Sequence, residues 1–338
     1  MASHTPQLSA ILLSGLVLAS CEQSPTAPDG AGVERLPDRE LASLSNAWIT
    51  RANLPRVERF GLTTAVVANA AGQSVLYAIG GQTATGGSLS NVQAYNVATN
   101  SWSNRAPLPR PLYWTNGAGV INGRIYVSGG VASNRNFRAE LYEYDPKTDI
   151  WTERAPMPTQ GFRGITGVID NRLYVVTNCD QEDCFDGVIS AALYRYNPAT
   201  ERWVVLPAPA HYHGWGFGGV IGGKFYVTGG TSALEVFDPA SNRWTEKSPL
   251  PAPRWLGAGT ALGGRLYVIG GFRGNPDDSE TIVATTSVYD PASDTWSNRA
   301  PFPEPFINLS ASRVVLNGQP RIHVVGGTRP GNNRAYLP

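Results

Sequence analysis

The sequence has little charge, little cysteine and none of the short motifs that mark the common catalytic sites. Charged residues make up 16% of its 338 residues, the formal net charge is +1, and no basic or acidic run occurs. Nothing therefore indicates binding to nucleic acid or electrostatic attraction to a membrane. A phosphate-binding loop, a dinucleotide-binding glycine motif, His-Glu-x-x-His and Gly-x-Ser-x-Gly are also missing. We accordingly predict no cofactor and no metal ion.

The apolar run near the N-terminus is short. It extends from Leu8 to Ala19, whereas a bilayer span needs roughly 20 residues. The run fits the hydrophobic region of an export signal, which we predict for residues 1–20. It ends in Leu-Ala-Ser-Cys, closing at Cys21. This sequence resembles the cleavage box of bacterial lipoproteins, which implies that Cys21 is lipidated; an uncleaved anchor is the alternative.

The next segment is predicted to be a flexible tether. Residues 21–44 are rich in Pro, Gly, Ser and charge, and they are too poor in aromatic residues to bury a core. No further apolar span follows. We therefore expect the rest of the chain to be held at a bacterial membrane by the lipid alone, in the periplasm or at the cell surface.

Glycine and proline are abundant, with 37 and 26 residues, which favours short strands and many turns over helices. An apolar strand that stops at two glycines recurs along the chain. The five copies end at Gly80-Gly81, Gly129-Gly130, Gly229-Gly230, Gly270-Gly271 and Gly326-Gly327. A sixth, deviant copy runs from Leu173 into Thr177-Asn178 instead.

Two further marks recur in step with the glycine pairs. One is a tryptophan ahead of a proline-rich turn, at Trp48, Trp102, Trp151, Trp203, Trp244 and Trp296. The other is an aromatic residue followed by Asn or Asp, as in Tyr144-Asp145-Pro146. A period of about 50 residues with this order of marks indicates a radial array of four-stranded blades.

These marks resemble the kelch repeat of β-propeller proteins, from about Trp48 to Tyr336. The resemblance implies an all-β fold, a six-bladed kelch β-propeller over residues 45–338. Kelch propellers include protein-binding modules, a sialic acid mutarotase and the propeller of galactose oxidase, so the fold alone does not define the function. Three histidines in the propeller are too few to favour the copper oxidase.

The last repeat is one strand short, which predicts how the ring closes. It supplies strands at about Leu309–Leu316, Arg321–Val325 and Ala335–Tyr336, and then the chain ends. A spare strand, Trp48–Arg51, precedes the first glycine pair. We expect this N-terminal strand to complete the last blade beside Tyr336, leaving no long unpaired edge.

Cys179 and Cys184 lie in an acidic stretch of the deviant third repeat. Outside the cytoplasm two cysteines this close favour a disulfide, which would stabilise the fold by roughly 2 kcal/mol. The acidic residues between them could instead bind Ca²⁺, although their spacing matches no known loop.

Several aromatic residues do not occupy the periodic positions of the repeat. Trp114, Trp215 and Trp255 lie in the connections between blades, and Phe162 aligns with Trp114 and Trp255 when the repeats are registered on the hairpin turn. The resemblance implies that these connections share one face around the central channel. An aromatic rim there suits stacking on sugars or anchoring of a protein, and packing at the channel mouth fits equally well.

Arginine and histidine residues lie in the same connections. Arg56, Arg59, Arg110, Arg163 and Arg254 do not follow the repeat. Such a set could hold a carboxylate, as of a sialate or an acidic peptide, or be solvated loop charge. His211 and His213 could share a metal or act as acid and base, but no third ligand matches them. His323 stands where the other repeats have Tyr, so we interpret it as packing.

The sequence thus predicts a monomeric recognition module that binds a protein or glycan through its loop-rich face, without nucleic acid. The predicted ligand-binding residues are Arg110, Trp114, Phe162, Arg163, His211, His213, Trp215, Arg254 and Trp255. The alternative is a carbohydrate-active enzyme resembling the kelch sialic acid mutarotase. The sequence identifies no catalytic residue.

Overall fold

The computed structural model describes residues 45–55, 59–133, 136–177, 191–274, 279–327 and 332–338. The predicted signal (1–20), the tether (21–44), the lipidated Cys21 and the disulfide between Cys179 and Cys184 lie outside these residues. Within the described ranges, no helix is long and apolar enough to cross a bilayer.

Six antiparallel sheets of four strands account for most of the described chain. The first three sheets contain β2 (Thr63–Ala68), β3 (Ser74–Ile79), β4 (Val92–Asn96) and β5 (Ser101–Arg105); β6 (Ala118–Ile121), β7 (Arg124–Val131), β8 (Phe137–Asp145) and β9 (Ile150–Arg154); and β10 (Ile165–Ile169), β11 (Arg172–Thr177), β12 (Ala192–Asn197) and β13 (Arg202–Leu206). The fourth and fifth contain β14 (Phe217–Ile221), β15 (Lys224–Gly229), β16 (Thr231–Asp238) and β17 (Arg243–Lys247); and β19 (Ala258–Leu262), β20 (Arg265–Ile269), β23 (Thr286–Asp290) and β24 (Thr295–Arg299).

The sixth sheet joins the two ends of the described chain. It contains β25 (Leu309–Leu316), β26 (Gln319–Gly326) and β27 (Asn333–Leu337), with β1 (Ala47–Thr50) on its outer edge. Trp48 pairs with Tyr336 in antiparallel register. The predicted pairing of the N-terminal strand with the last repeat is therefore present, although β1 ends one residue earlier than predicted.

An additional small sheet stands on the fifth repeat. It consists of β18 (Arg254–Trp255), β21 (Phe272–Gly274) and β22 (Glu280–Ile282), in the order β18-β21-β22. The insertion between β20 and β23 supplies two of these strands.

The innermost strands form a closed cycle. β2, β6, β10, β14, β19 and β25 each contact the next, and β25 contacts β2. Glycines permit this close approach: a Cβ on Gly219 would lie 2.9 Å from the backbone nitrogen of Ala261 in the neighbouring sheet. The result is a ring of sheets around a central cavity, the architecture of a β-propeller.

The periodic tryptophans bind each sheet to the one before it. Every indole N–H donates to a backbone carbonyl of the connection that leaves the preceding sheet, at 2.7–3.0 Å. The pairs are Trp48–Ala300, Trp102–Ala52, Trp151–Ala106, Trp203–Ala155, Trp244–Pro207 and Trp296–Ser248. The recurrence of tryptophan in the sequence thus has a structural cause.

A second repeated brace is altered in the third sheet. In the second sheet the Asp149 carboxylate accepts bonds from the Tyr144 hydroxyl and the Ala106 N–H, at 2.5 and 2.9 Å. Glu201 takes this place in the third sheet with the same left-handed backbone, at φ 54°. There the buried hydroxyl of Tyr196 has no hydrogen-bond partner. The longer side chain of Glu201 bonds to Arg154 instead, at 2.8 Å.

Replacing Glu201 by Asp should raise the free energy of unfolding by about 1 kcal/mol, because the shorter carboxylate would satisfy Tyr196 and Asp tolerates a positive φ. The half-exposed ion pair with Arg154 that would be lost contributes less. Urea denaturation measures the change. Asp149→Glu is the matched control and should destabilise the protein. A Glu201→Asp variant that is less stable than the wild type would contradict the proposed bond to Tyr196.

His323 is a packing residue, as predicted. It is fully buried, its Nδ1 lies 3.2 Å from Oδ1 of Asn333, and its ring packs 5.5 Å from that of Tyr95.

Candidate functional site

Six equivalent residues surround the opening of the central cavity, and we call them the mouth ring. Each lies shortly before an innermost strand and has a positive φ between 50° and 64°. They are Gly61, Trp114, Arg163, Trp215, Leu256 and Asn308. Five consecutive backbone N–H groups, from Trp114 to Asn308, donate to the carbonyl of the preceding member at 2.6–3.3 Å. The mouth ring is thus a continuous hydrogen-bonded series that links successive sheets.

Three side chains of the mouth ring, Trp114, Arg163 and Trp215, pack together with Arg163 in contact with both indoles. We call them the mouth stack. The Trp114 indole lies against Gly61, where a Cβ would overlap its Cδ1 and Nε1 atoms. The guanidinium carbon of Arg163 is 3.2 Å from the ring centroid of Trp114 and 4.9 Å from that of Trp215. Arg163 therefore makes cation–π contacts with two tryptophans. Trp215 is the outermost member and is 36% exposed.

The cavity beneath the mouth stack has a volume of about 200 Å³. Its described lining contains one charged side chain, Arg163. The remainder is mainly glycine, alanine and aliphatic residues, with hydroxyl and amide groups from Thr63, Thr64, Thr115, Asn116, Thr166, Asn308 and Ser310. The cavity is therefore polar and electropositive.

Burial sets the protonation of the groups beside the cavity. It lowers the pKa of Arg163 to about 9, so the guanidinium is still a cation at neutral pH. Burial raises the pKa of the Tyr212 hydroxyl to about 12, although the nearby Arg163 charge acts in the opposite direction. At neutral pH the cavity is therefore lined by a cation, while Tyr212, which is not part of the lining, is a neutral phenol.

Adding a methyl group at Gly61 should displace Trp114 and disturb the mouth stack. We expect Gly61→Ala to destabilise the fold by about 1–2 kcal/mol, the sum of a strained positive φ and a steric overlap. Gly72→Ala is the control, because Gly72 has a φ of 73° but no atom within 4 Å of an added Cβ. Thermal unfolding and tryptophan fluorescence should both change in the first variant, and only stability in the second. Equal fluorescence in the two would contradict the overlap.

The predicted site residues are only partly brought together. Trp114, Arg163 and Trp215 line the cavity jointly. Trp255 lies next to the mouth ring, but its indole packs on Phe272 in the additional sheet, with ring centroids 6.3 Å apart. Phe162 is buried and stacks on Phe137, at 4.7 Å. Arg110 is half exposed, 3.7 Å from Glu140, and does not line the cavity.

The predicted alignment of the connections is wrong by one residue. Trp114 corresponds to Arg163 and Leu256, not to Phe162 and Trp255. Trp114 lies eight residues before the turn residue Asn122, whereas Arg163 lies seven before Asp170. An extra residue before β6, where Gly117 has a φ of 102°, causes the difference.

Two of the non-periodic arginines are buried and donate to backbone carbonyl groups of the protein, and Arg56 lies outside the described residues. Arg59 Nε donates to Gly80 O at 2.7 Å, and Arg254 Nη1 donates to Thr285 O at 3.0 Å. Burial lowers the pKa of both guanidinium groups to about 10. The geometry thus favours a structural role for Arg59 and Arg254.

His211 and His213 converge on a buried carboxylate that the sequence did not single out, Glu235 in β16. His213 Nε2 is 2.8 Å from Glu235 Oε2, and the N–H groups of Ala210 and His211 donate to the same carboxylate at 2.8 and 2.9 Å. Burial alone would raise the pKa of Glu235, but these bonds outweigh it and lower the pKa to about 2. Among the described residues, no group of three or more His, Cys, Asp or Glu side chains could hold a metal ion.

One feature of the sequence marks members of the mouth ring, and our predictions did not use it. Arg163-Gly164, Trp215-Gly216 and Leu256-Gly257 place a glycine directly after the ring residue. This glycine follows three of the six members, whose side chains otherwise differ in type.

The ring of sheets, the tryptophan ties and the mouth ring together define a β-propeller built from kelch repeats. Residues 40–230, more than half of the chain, match the profile of the Attractin/LZTR1 beta-propeller, and residues 257–303 match the kelch motif. The chain therefore belongs to the Attractin/LZTR1 beta-propeller family. Kelch propellers generally mediate protein binding, so membership supports a protein-interaction module.

A solved structure shares the fold. The structure titled "Structure of YjhT" aligns with a TM-score of 0.66, covering 84% of this chain and 94% of that one at 16% identity. At this identity the likeness concerns the fold alone. No curated protein matches the chain in sequence.

Proposed function

We propose that the chain is an extracytoplasmic, lipid-anchored recognition module that binds a protein or glycan ligand at the mouth ring. The observation that carries the proposal is the mouth stack, in which Arg163 lies against Trp114 and Trp215 at the opening of the cavity. Aromatic and arginine side chains are the residues that most often dominate binding surfaces. A packing role alone does not require the outermost indole to be 36% exposed.

The chemistry of the mouth favours an anionic group on the ligand. Arg163 is a cation in a poorly solvated setting, and a carboxylate could bond to it there more strongly than in water. An acidic side chain of a partner protein would meet this requirement, and Trp215 beside it would add apolar contact. We therefore favour a protein ligand with an exposed Asp or Glu.

Affinity capture from envelope extracts tests this proposal. Wild-type protein should retain a partner that Trp215→Ala and Arg163→Met both lose, since Met keeps bulk beside the indoles without the charge. Trp255→Ala is the matched control, because this indole packs on Phe272 outside the cavity lining. Equal capture by all four proteins would refute recognition at the mouth.

The second candidate is a carbohydrate-active enzyme resembling the kelch sialic acid mutarotase. The polar lining of the cavity and its single cation favour it, since a sugar acid offers hydroxyl groups and one carboxylate. NMR measurement of anomer exchange in sialic acid decides between the two. No acceleration by the wild-type protein would exclude this activity.

The anchoring part of the proposal rests on the lipoprotein box at Cys21, outside the described residues. Metabolic labelling with a fatty-acid analogue should mark the wild type and not Cys21→Ser. Unlabelled wild-type protein would overturn the anchor.

A further inference from the structure

One buried side chain holds the connection that carries Trp215, one of the three members of the mouth stack. This connection runs from Pro207 to Trp215. Glu235 accepts hydrogen bonds from the backbone of Ala210 and His211 and from the ring of His213. Both Glu235 and His213 are buried, with exposures of 1% and 0%. The carboxylate is therefore the main polar anchor of the segment.

His213 also fixes the turn that presents Trp215. The carbonyl of His213 accepts a bond from the N–H of Gly216 at 3.1 Å, and Trp215 has a φ of 59° between them. Trp215 in turn donates its N–H to Arg163 O at 3.3 Å. Any shift of His213 would thus be transmitted to the mouth stack through one short turn.

Both nitrogens of the His213 ring face hydrogen-bond acceptors. Nε2 is 2.8 Å from the carboxylate of Glu235, and Nδ1 is 3.3 Å from the carbonyl oxygen of Gly229. A neutral imidazole has one N–H and can satisfy only one of these acceptors, whereas an imidazolium satisfies both. The low pKa of Glu235, about 2, keeps that carboxylate ionised beside the ring.

We propose that His213 is a buried imidazolium paired with Glu235, and that the two act as positioning residues that make the mouth stack dependent on pH. Loss of the His213 proton would remove one of its two bonds and free the turn at Trp215. Ligand binding would then weaken as the pH rises. This last consequence rests on the proposed function, while the protonation state does not.

Other titratable groups face the same segment and must be separated from His213. His211 Nδ1 lies 3.3 Å from Glu235 and 3.5 Å from Glu246 in β17, and its side chain is 41% exposed. Tyr212, in the same segment, interacts electrostatically with Arg163 of the mouth ring. His211 could also bind Glu235 and Glu246 more strongly when protonated, so it is the competing origin of any pH effect.

Nitrogen NMR of the histidine rings tests the protonation directly in the wild-type protein. We expect both His213 nitrogens to carry protons at neutral pH. A neutral His213 at pH 6–7 would overturn the proposal. This readout needs no ligand, so it does not depend on whether the mouth binds anything.

Amide hydrogen exchange tests the positioning role. After correction for the intrinsic pH dependence, the protection of the His211 and Gly216 amides should fall about 10- to 100-fold across the pH at which His213 loses its proton. His211→Gln is the matched control and should keep this step, whereas His213→Gln should abolish it. A step that vanishes in His211→Gln and persists in His213→Gln would refute the assignment.

Glu235→Gln provides a second variant in case His213→Gln does not fold. It preserves the shape of the side chain but removes the charge, so the step should move to lower pH. An unchanged midpoint would overturn the pairing. If both tests succeed and capture experiments still find no ligand, only the proposed function fails.

Discussion

Replacing Arg59 by Ala should lower the free energy of unfolding by about 3–5 kcal/mol, a large effect for a position in a connection. The guanidinium donates to four acceptors of the first sheet, at 2.6–3.0 Å. They are the carbonyl oxygens of Ala78, Gly80 and Asn91 and the side chain of Gln93. The arginine is only 4% exposed, so water cannot replace these bonds without opening the structure. Urea denaturation of the variant measures the loss.

Arg254→Ala is the matched control, because Arg254 occupies the equivalent position two residues before the mouth ring. Among the described residues its guanidinium donates one hydrogen bond, to Thr285 O, and we expect its removal to cost about 1–2 kcal/mol. Arg59→Lys should fall between the two, since an ammonium group retains the charge but not the forked geometry. A loss below about 1 kcal/mol for Arg59→Ala would show that the acceptors find other partners.

Lowering the pH should destabilise the protein through His323 before the carboxylates of the protein titrate. Burial, and to a lesser degree the charge of Arg51, lowers the pKa of His323 from 6.5 to about 3 in the folded state. The unfolded chain therefore binds a proton below pH 6.5 that the folded chain does not, so stability falls as the pH decreases from 6.5 towards 3. Because one pKa unit is worth about 1.4 kcal/mol, we expect a loss of about 2–3 kcal/mol between pH 6.5 and 4.5.

His323→Tyr isolates this contribution, because tyrosine stands at the same strand position in the other repeats and does not titrate in acid. Chemical denaturation at several pH values should show a smaller slope between pH 6.5 and 4.5 in the variant. Parallel curves for the two proteins would contradict the burial of a neutral imidazole.

The repeated parts of the fold could be predicted from the sequence because each repeat position makes the same contact. Trp102 and Trp151 recur since every sheet needs an indole to tie it to the sheet before. The pairing of Trp48 with Tyr336 followed from counting strands. Such positions are determined by local contacts that are copied along the chain.

The candidate site was predictable only in part, because its residues depart from the repeat. Trp114 and Trp215 were found as surplus aromatics, but Leu256 occupies the equivalent place without any chemical likeness to them. The sequence also could not distinguish Arg163, which lines the cavity, from Arg254, which is buried and bonds to the carbonyl of Thr285. Their difference lies in the path of each side chain, which depends on neighbours distant in sequence.

The pairing of β1 with β27 has a consequence for the order in which the protein matures. The first strand of the propeller can pair only after its partner, Asn333–Leu337, has been synthesised, and this partner follows every other described strand in chain order. The other sheets are contiguous in sequence and can each form before that strand is made. Loss of β27 would therefore leave β1 without a partner in the sixth sheet.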